Sequence, residues 1–228
     1  MPATDLRHDL VWELAQAINA IPAAGIVRVG VDGVDGAGKT TLANELAVAV
    51  RDLGRPVIRA SVDSFHNPRA IRYRRGRTSP DGFFLDSYDY TLLRRVLLDP
   101  LSRGGSGRYR AAAFDHVQDR PMLTPERAAA PTAVLIFDGI FLHRPELFDY
   151  WDYSIFLRVG FDASIPRCAQ ARPGLSPDPR GESNRRYMEG QRIYLRTCEP
   201  ERLATIVIDN EDLEAPSVVD RTDQRRSI

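Results

Sequence analysis

The segment Gly33-Val34-Asp35-Gly36-Ala37-Gly38-Lys39-Thr40 has the spacing G-x-x-x-x-G-K-[ST]. A loop of this pattern turns backbone N–H groups toward phosphate oxygens at a helix N-terminus, where the macrodipole favours an anion. Lys39 is the single lysine among 31 basic residues, and the other 30 are arginine. A compact ammonium on a flexible stem can slide beside the β- and γ-phosphates, where a planar, forked guanidinium fits poorly. Lysine kept at this one place in an arginine-biased chain therefore marks a phosphate contact. The pattern assigns Gly33, Asp35, Gly36, Ala37, Gly38, Lys39, Thr40 and Thr41 to a bound nucleotide. Thr40 offers its hydroxyl to Mg²⁺. Thr41 serves the α-phosphate or packs. The chemistry implied is ATP-dependent phosphoryl transfer.

Two acids complete that chemistry. Asp63, in Ser61-Val62-Asp63-Ser64-Phe65-His66, follows an apolar run. A carboxylate there faces the phosphates and can accept a hydroxyl proton. Asp138 ends the apolar run Val134-Leu135-Ile136-Phe137 and is placed to hold Mg²⁺, directly or through water. Arginines around a proline-rich stretch, of which Arg167 and Arg172 end the preceding helix, can neutralise charge on the transferring phosphoryl group. His116 lies in a segment, Phe114 to Arg120, that could floor an acceptor site.

These residues need elements to position them. Apolar runs at 26–31, 57–62, 133–137, 153–159 and 205–208 read as strands. Helical spacing covers 4–21, 40–53, 89–98, 162–171 and 183–197. Strand–helix alternation predicts an α/β fold with a parallel sheet covered on both faces, and ligands at the carboxyl ends of its strands. Residues 66–84 read as an arginine-rich loop or mobile flap, 99–132 as irregular, and 215–228 as a frayed tail. The 228 residues suit one domain, with an acceptor-side insert at 66–132 and a lid at 167–186. Net charge is zero, which gives no support to nucleic-acid binding. There is no long apolar span and no leader-like start, so no membrane partner and a cytoplasmic location are expected. Cys168 and Cys198 show no metal spacing and read as reduced thiols.

The glycine-rich loop, Ser61-Val62-Asp63-Ser64-Phe65, Phe137-Asp138-Gly139-Ile140-Phe141 and Tyr194 through Glu199-Pro200 come in the order and approximate spacing of the uridine kinase / phosphoribulokinase family. The resemblance spans roughly residues 5–210. It implies a P-loop kinase fold with a five-stranded parallel core and an arginine-bearing lid, using ATP and Mg²⁺. It also implies that Asp63 is the base acting on a nucleoside 5′-hydroxyl, that of uridine or cytidine, and that Asp138 stands where the family usually has glutamate. On the acceptor side it brings in Asp63, Phe65, His66, Asp86, Tyr88, His116 and Arg120. The match is looser there. Residues 113–120 reproduce the base-holding element with the histidine out of step. Residues 82–89 are a degenerate ribose element, with Asp81, just before it, and Asp86, within it, as the alternatives for its acid. Ala171-Arg172-Pro173-Gly174 replaces the Arg-Asp lid signature. The phosphate end is intact and the acceptor end has diverged. Another nucleoside, a pantothenate-like alcohol or a sugar phosphate stay open as acceptors, as does a nucleotide-binding switch with little transferase activity. A homo-oligomer is compatible with all of these.

Overall fold

The computed structural model describes residues 3–22, 25–171 and 174–220. One of its strands, β3 (Val134–Asp138), is buried along its whole length because helices cover both faces. The other strands are β1 (Val27–Gly33), β2 (Val57–Ser61), β4 (Tyr153–Arg158), β5 (Ile206–Asp209) and β6 (Ser217–Val218). The sheet order is β2-β3-β1-β4-β5-β6. The first five are parallel, as the alternating pattern predicts. The sixth pairs antiparallel with β5, through Ser217↔Asp209 and Val218↔Ile208. Residues expected as part of a tail thus close the sheet edge, while 221–228 lie outside the described residues.

Two helices, α1 (Ala3–Asn19) and α2 (Lys39–Asp52), cover one face. Leu14, Ala15 and Ile18 of α1 and Leu46, Ala47 and Val50 of α2 meet Val29, Val31 and Ile136 of the sheet. The other face is covered by α3 (Pro80–Asp86), a helical stretch at 90–98, and α5 (Glu182–Cys198). There Phe83, Leu97, Phe141 and Tyr194 pack on Leu135, Phe137 and Phe156. α4 (Phe161–Ala171) follows β4, with Phe161 and Ala163 packed on the α1–α2 side. No helix among the described residues is long and apolar enough to cross a membrane.

Residues 66–84 are not a free loop. Ser79 caps α3 by accepting the Gly82 N–H, and Pro80 sits in the first turn, where its missing N–H costs nothing. Residues 99–132 hold two small antiparallel ribbons, Arg108–Tyr109 with Arg127–Ala128 and Phe114–Asp115 with Arg120–Pro121.

The register sets the functional edge. Val31 of β1 and Ser61 of β2 both align with Asp138 of β3. The glycine-rich loop, Asp63 and Asp138 therefore leave the sheet on one side. Just beneath that edge lies Asp32, fully buried. Its carboxylate accepts from the Gly33 N–H (2.7 Å), the Leu142 N–H (3.1 Å) and the Tyr194 hydroxyl, and meets His143 Nδ1 at 2.7 Å. His143 Nε2 lies 3.0 Å from the Ser154 hydroxyl, and Tyr194 Oη accepts the His143 N–H at 3.0 Å. This knot ties β1, the loop after β3, β4 and α5 together. Burial and the Asp32 carboxylate hold the Tyr194 hydroxyl well above its ordinary range, so it stays a donor. Tyr194→Phe removes one donor to Asp32 and strands the buried His143 N–H. A loss of about 1–3 kcal/mol in urea unfolding is expected, and an unchanged midpoint would show that the knot carries no stability.

Candidate active site

The glycine-rich loop is held from three directions. The Asp35 N–H donates to Gln191 Oε1 of α5 (2.6 Å), Asn210 Nδ2 donates to the Ala37 carbonyl (2.7 Å), and Lys39 Nζ donates to the Val34 carbonyl (2.7 Å). Gly36 and Gly38 have φ of +77° and +90°, a region that L side chains rarely occupy. Gly36 is also closed in, since a Cβ there would sit 2.1 Å from the Ser164 carbonyl oxygen of α4. The loop's curvature is thus fixed before any nucleotide arrives.

Beside the loop is a cavity of about 170 Å³ lined by Gly36, Gly38, Lys39, Thr40, Thr41 and Asp138, with Asp35 and Asp63 at its margin. Thr40 Oγ1 donates to Asp138 Oδ2 at 2.6 Å, and Arg59 donates to Asp138 Oδ1 at 2.8 Å. Hydroxyl and carboxylate oxygens are the hard donors that Mg²⁺ takes, and that ion is normally held by one or two protein groups with waters and phosphates completing its shell. Among the described residues there is no cluster of three or more His, Cys, Asp or Glu able to hold a metal.

A second cavity, of about 220 Å³, adjoins the first and shares Asp35, Asp63, Tyr88 and Ile140 with it. Its other walls include His66, Arg72, Phe83, His116, Arg186 and Tyr187. The Tyr88 hydroxyl donates to Asp63 Oδ1 at 3.3 Å. His66 Nδ1 lies 2.9 Å from the Asp63 carbonyl, and its ring stacks on His116 with centroids 4.6 Å apart. A larger groove of about 580 Å³ between α1 and α2 contains none of these residues.

Of the residues singled out from the sequence, the structure gathers Asp35, Gly36, Gly38, Lys39, Thr40, Thr41, Asp63 and Asp138 around the first cavity and Asp63, His66, Tyr88 and His116 around the second. Gly33 and Ala37 shape the loop from behind. Four others fall outside both cavities. Phe65, in a 3₁₀ turn at Val62–Phe65, is turned wholly into the core beside Phe137. Asp86 is buried, with Arg74 on one carboxylate oxygen and Arg75 on the other, so its charge is already matched. Arg120 is exposed in the Asp115 ribbon. Arg167 donates to the Asn210 and Glu211 carbonyls beyond β5. Arg172 lies outside the described residues. Arg59, Phe83, Tyr187 and Gln191 enter the site without having been selected from the sequence; Arg72 is one of the arginines at 69–77 that could bind an anionic acceptor, and Arg186 one of those expected in the lid. For Arg59 the available signal was an arginine inside an apolar strand leading to Asp63.

A model of the Phosphoribulokinase / Uridine kinase family matches residues 28–167. A solved structure from Bacillus stearothermophilus, named as a possible uridine kinase, is 26% identical with a TM-score of 0.69, covering 87% of this chain and 97% of that one. A kinase provisionally assigned to a fructose transport system of Silicibacter sp. TM1040 is 25% identical with a TM-score of 0.64, covering 83% of this chain and 93% of that one. The D-glycerate 3-kinase of Cryptococcus neoformans shares the fold at 12% identity and a TM-score of 0.53, covering 86% and 88% of the two chains. No curated protein matches the chain.

The geometry around His66 has a pH consequence. Burial, helped by the neighbouring His116 and Arg72 charges, lowers its pKa from 6.5 to about 4, against the opposing pull of Asp63. Between those values the unfolded chain takes up a proton that the folded chain refuses. Stability therefore falls as pH drops from 6.5 toward about 4. Urea midpoints across this window should fall more steeply for the wild type than for His66→Asn; parallel slopes would contradict the burial argument.

Proposed function

The chain belongs to the phosphoribulokinase/uridine kinase family, and we propose that it moves the γ-phosphoryl group of ATP to a hydroxyl of a small acceptor, with Mg²⁺ as cofactor. The observation that carries this reading is the placement of Asp63, which lines both the cavity at the glycine-rich loop and the cavity beside it. A carboxylate at that junction reaches an acceptor hydroxyl on one side while the γ-phosphate lies on the other.

In this reading the loop amides bind the phosphates, and Lys39 exchanges the Val34 carbonyl for a phosphate oxygen. Thr40 and Asp138 would hold Mg²⁺, which offsets charge on the phosphate oxygens when bound. Asp63 accepts the proton of the attacking hydroxyl, and the Tyr88 hydroxyl orients that carboxylate. Arg167 and Arg172 remain the lid arginines proposed to meet the transferring phosphoryl group. For Arg167 this requires leaving the Asn210 and Glu211 carbonyls.

For the acceptor, the 5′-hydroxyl of uridine or cytidine is the first reading. Phe83, Tyr88, Tyr187 and the His66–His116 stack give the second cavity flat faces suited to a ring. A second reading, an alcohol bearing an anionic group, is favoured by Arg186. This buried guanidinium lies 4.6 Å from the Tyr73 ring centroid, gives its Nη atoms to the Arg72 and Arg77 carbonyls, and has no carboxylate partner among the described residues.

ADP release from Mg-ATP, measured with a panel of nucleosides, pantothenate and sugar phosphates, separates these acceptors. Stimulation by none of them would move weight to a nucleotide-binding switch. With the acceptor in hand, Asp63→Asn should lower turnover by about 10²–10⁴-fold while ATP affinity stays within about twofold. Full activity in that variant would refute the base assignment. Lys39→Ala should cost about 10²–10³-fold in turnover as a lost charge-stabilising group; near-normal turnover would remove Lys39 from the chemistry.

A further inference from the structure

Arg59 stands in the middle of β2, yet its guanidinium crosses the end of β3. Nη2 donates to Asp138 Oδ1 at 2.8 Å. Nη1 donates to the Ile136 carbonyl at 2.6 Å and the Ala60 carbonyl at 3.1 Å. Asn44 Oδ1 on α2 accepts from Nε and Nη2 at 3.2 and 3.1 Å. The fork is thus fixed by β2, β3 and α2 together, and its position does not depend on Asp138. Asp138, only 3% exposed at its side chain, is held between this fork and the Thr40 hydroxyl.

Two consequences follow from general physics. A carboxylate with one oxygen donated to by an anchored guanidinium and the other by a hydroxyl has a single rotamer open to it. In that rotamer Thr40 gives its proton to Asp138, which leaves the lone pairs of its hydroxyl oxygen free for a cation in the adjoining cavity. Second, a fixed positive charge at 2.8 Å offsets most of the field that a lone carboxylate would present at a partly buried site. Nothing in a kinase's need for a metal-side acid requires such a counter-charge; it makes the acid a weaker attractor of Mg²⁺ and a better-aimed one.

We propose that Arg59 is the positioning residue of the metal-side acid: it aims Asp138 at Thr40 and sets how much Mg²⁺ the nucleotide site demands. The inference rests on the phosphoryl-transfer reading. It concerns Arg59 alone and involves no contact between Arg59 and the nucleotide.

The test is calorimetric ATP affinity as Mg²⁺ is titrated, with turnover at saturating Mg²⁺ and the unfolding midpoint measured alongside. Arg59→Met keeps the stem and removes charge and donors. It should lower the Mg²⁺ concentration needed for half-maximal enhancement of ATP binding by about 3–10-fold, and lower turnover at least tenfold through loss of aim. Arg59→Lys keeps the charge without the fork. It should return the Mg²⁺ requirement to within about twofold of wild type while recovering turnover only in part. Arg59→Gln, which retains a polar group, supplies the same readout if the methionine variant does not fold. An unchanged or raised Mg²⁺ requirement in the uncharged variants, with only the unfolding midpoint reduced, would make Arg59 a plain strand clamp and overturn the proposal. A wild type whose ATP affinity ignores Mg²⁺ would instead overturn the phosphoryl-transfer reading of the cavity, and with it the premise.

Discussion

The structure depends on a carboxylate that never meets solvent. Asp32 ends the hydrophobic part of β1, with its oxygens surrounded by the Gly33 and Leu142 amides, the His143 ring and the Tyr194 hydroxyl. A buried acid is tolerable only when so fully satisfied, and breaking such a set exposes the whole desolvation cost at once. The set is all-or-none, so it fixes where α5 and the loop after β3 sit relative to the strand that delivers the glycine-rich loop. Gln191, three residues before Tyr194, then holds the Asp35 amide. One side of one helix thus holds both the base of the loop and its first turn.

From that frame the two cavities follow. The loop, the turn after β2 and the end of β3 converge because β2 and β3 stop at the same level and the parallel β1 runs only to Gly33, just past it. The second cavity is built differently. Its walls come from α3, from the α5 residues Arg186 and Tyr187, and from the ribbon carrying His116. The first cavity is therefore a property of the sheet, and the second a property of segments laid over it. Variation in those segments can reshape the second cavity while leaving the first intact. Solved structures that share the fold are named for uridine, fructose transport and D-glycerate.

The same division explains what could be read in advance. Gly33 to Thr40 is legible because loop shape, lysine and helix start are all local. The apolar run into Asp138 is legible because a strand buried on both faces has little choice of composition. The helix at Pro80–Asp86 was hidden by its arginine-rich surroundings, although Ser79-Pro80 is an ordinary helix start. Asp86 looked available as a ribose ligand because nothing in its own neighbourhood shows that Arg74 and Arg75 fold back onto it. Phe65 looked like a binding aromatic because it follows Asp63, but a 3₁₀ turn sends the two side chains in different directions. Asp32 with Tyr194 and Asp35 with Gln191 are separated by 162 and 156 residues, and no local pattern announces such pairs.

The lone lysine has a consequence outside catalysis. Every other side-chain cation that stays charged at neutral pH is a guanidinium, which amine-selective acylating reagents leave alone. Apart from an α-amine, the one amine such reagents meet is the Lys39 ε-amine, which rests on the Val34 carbonyl inside the glycine-rich loop. A covalent acyl tag on a lysine side chain of this protein reports a single address, so its yield counts the phosphate sites left empty.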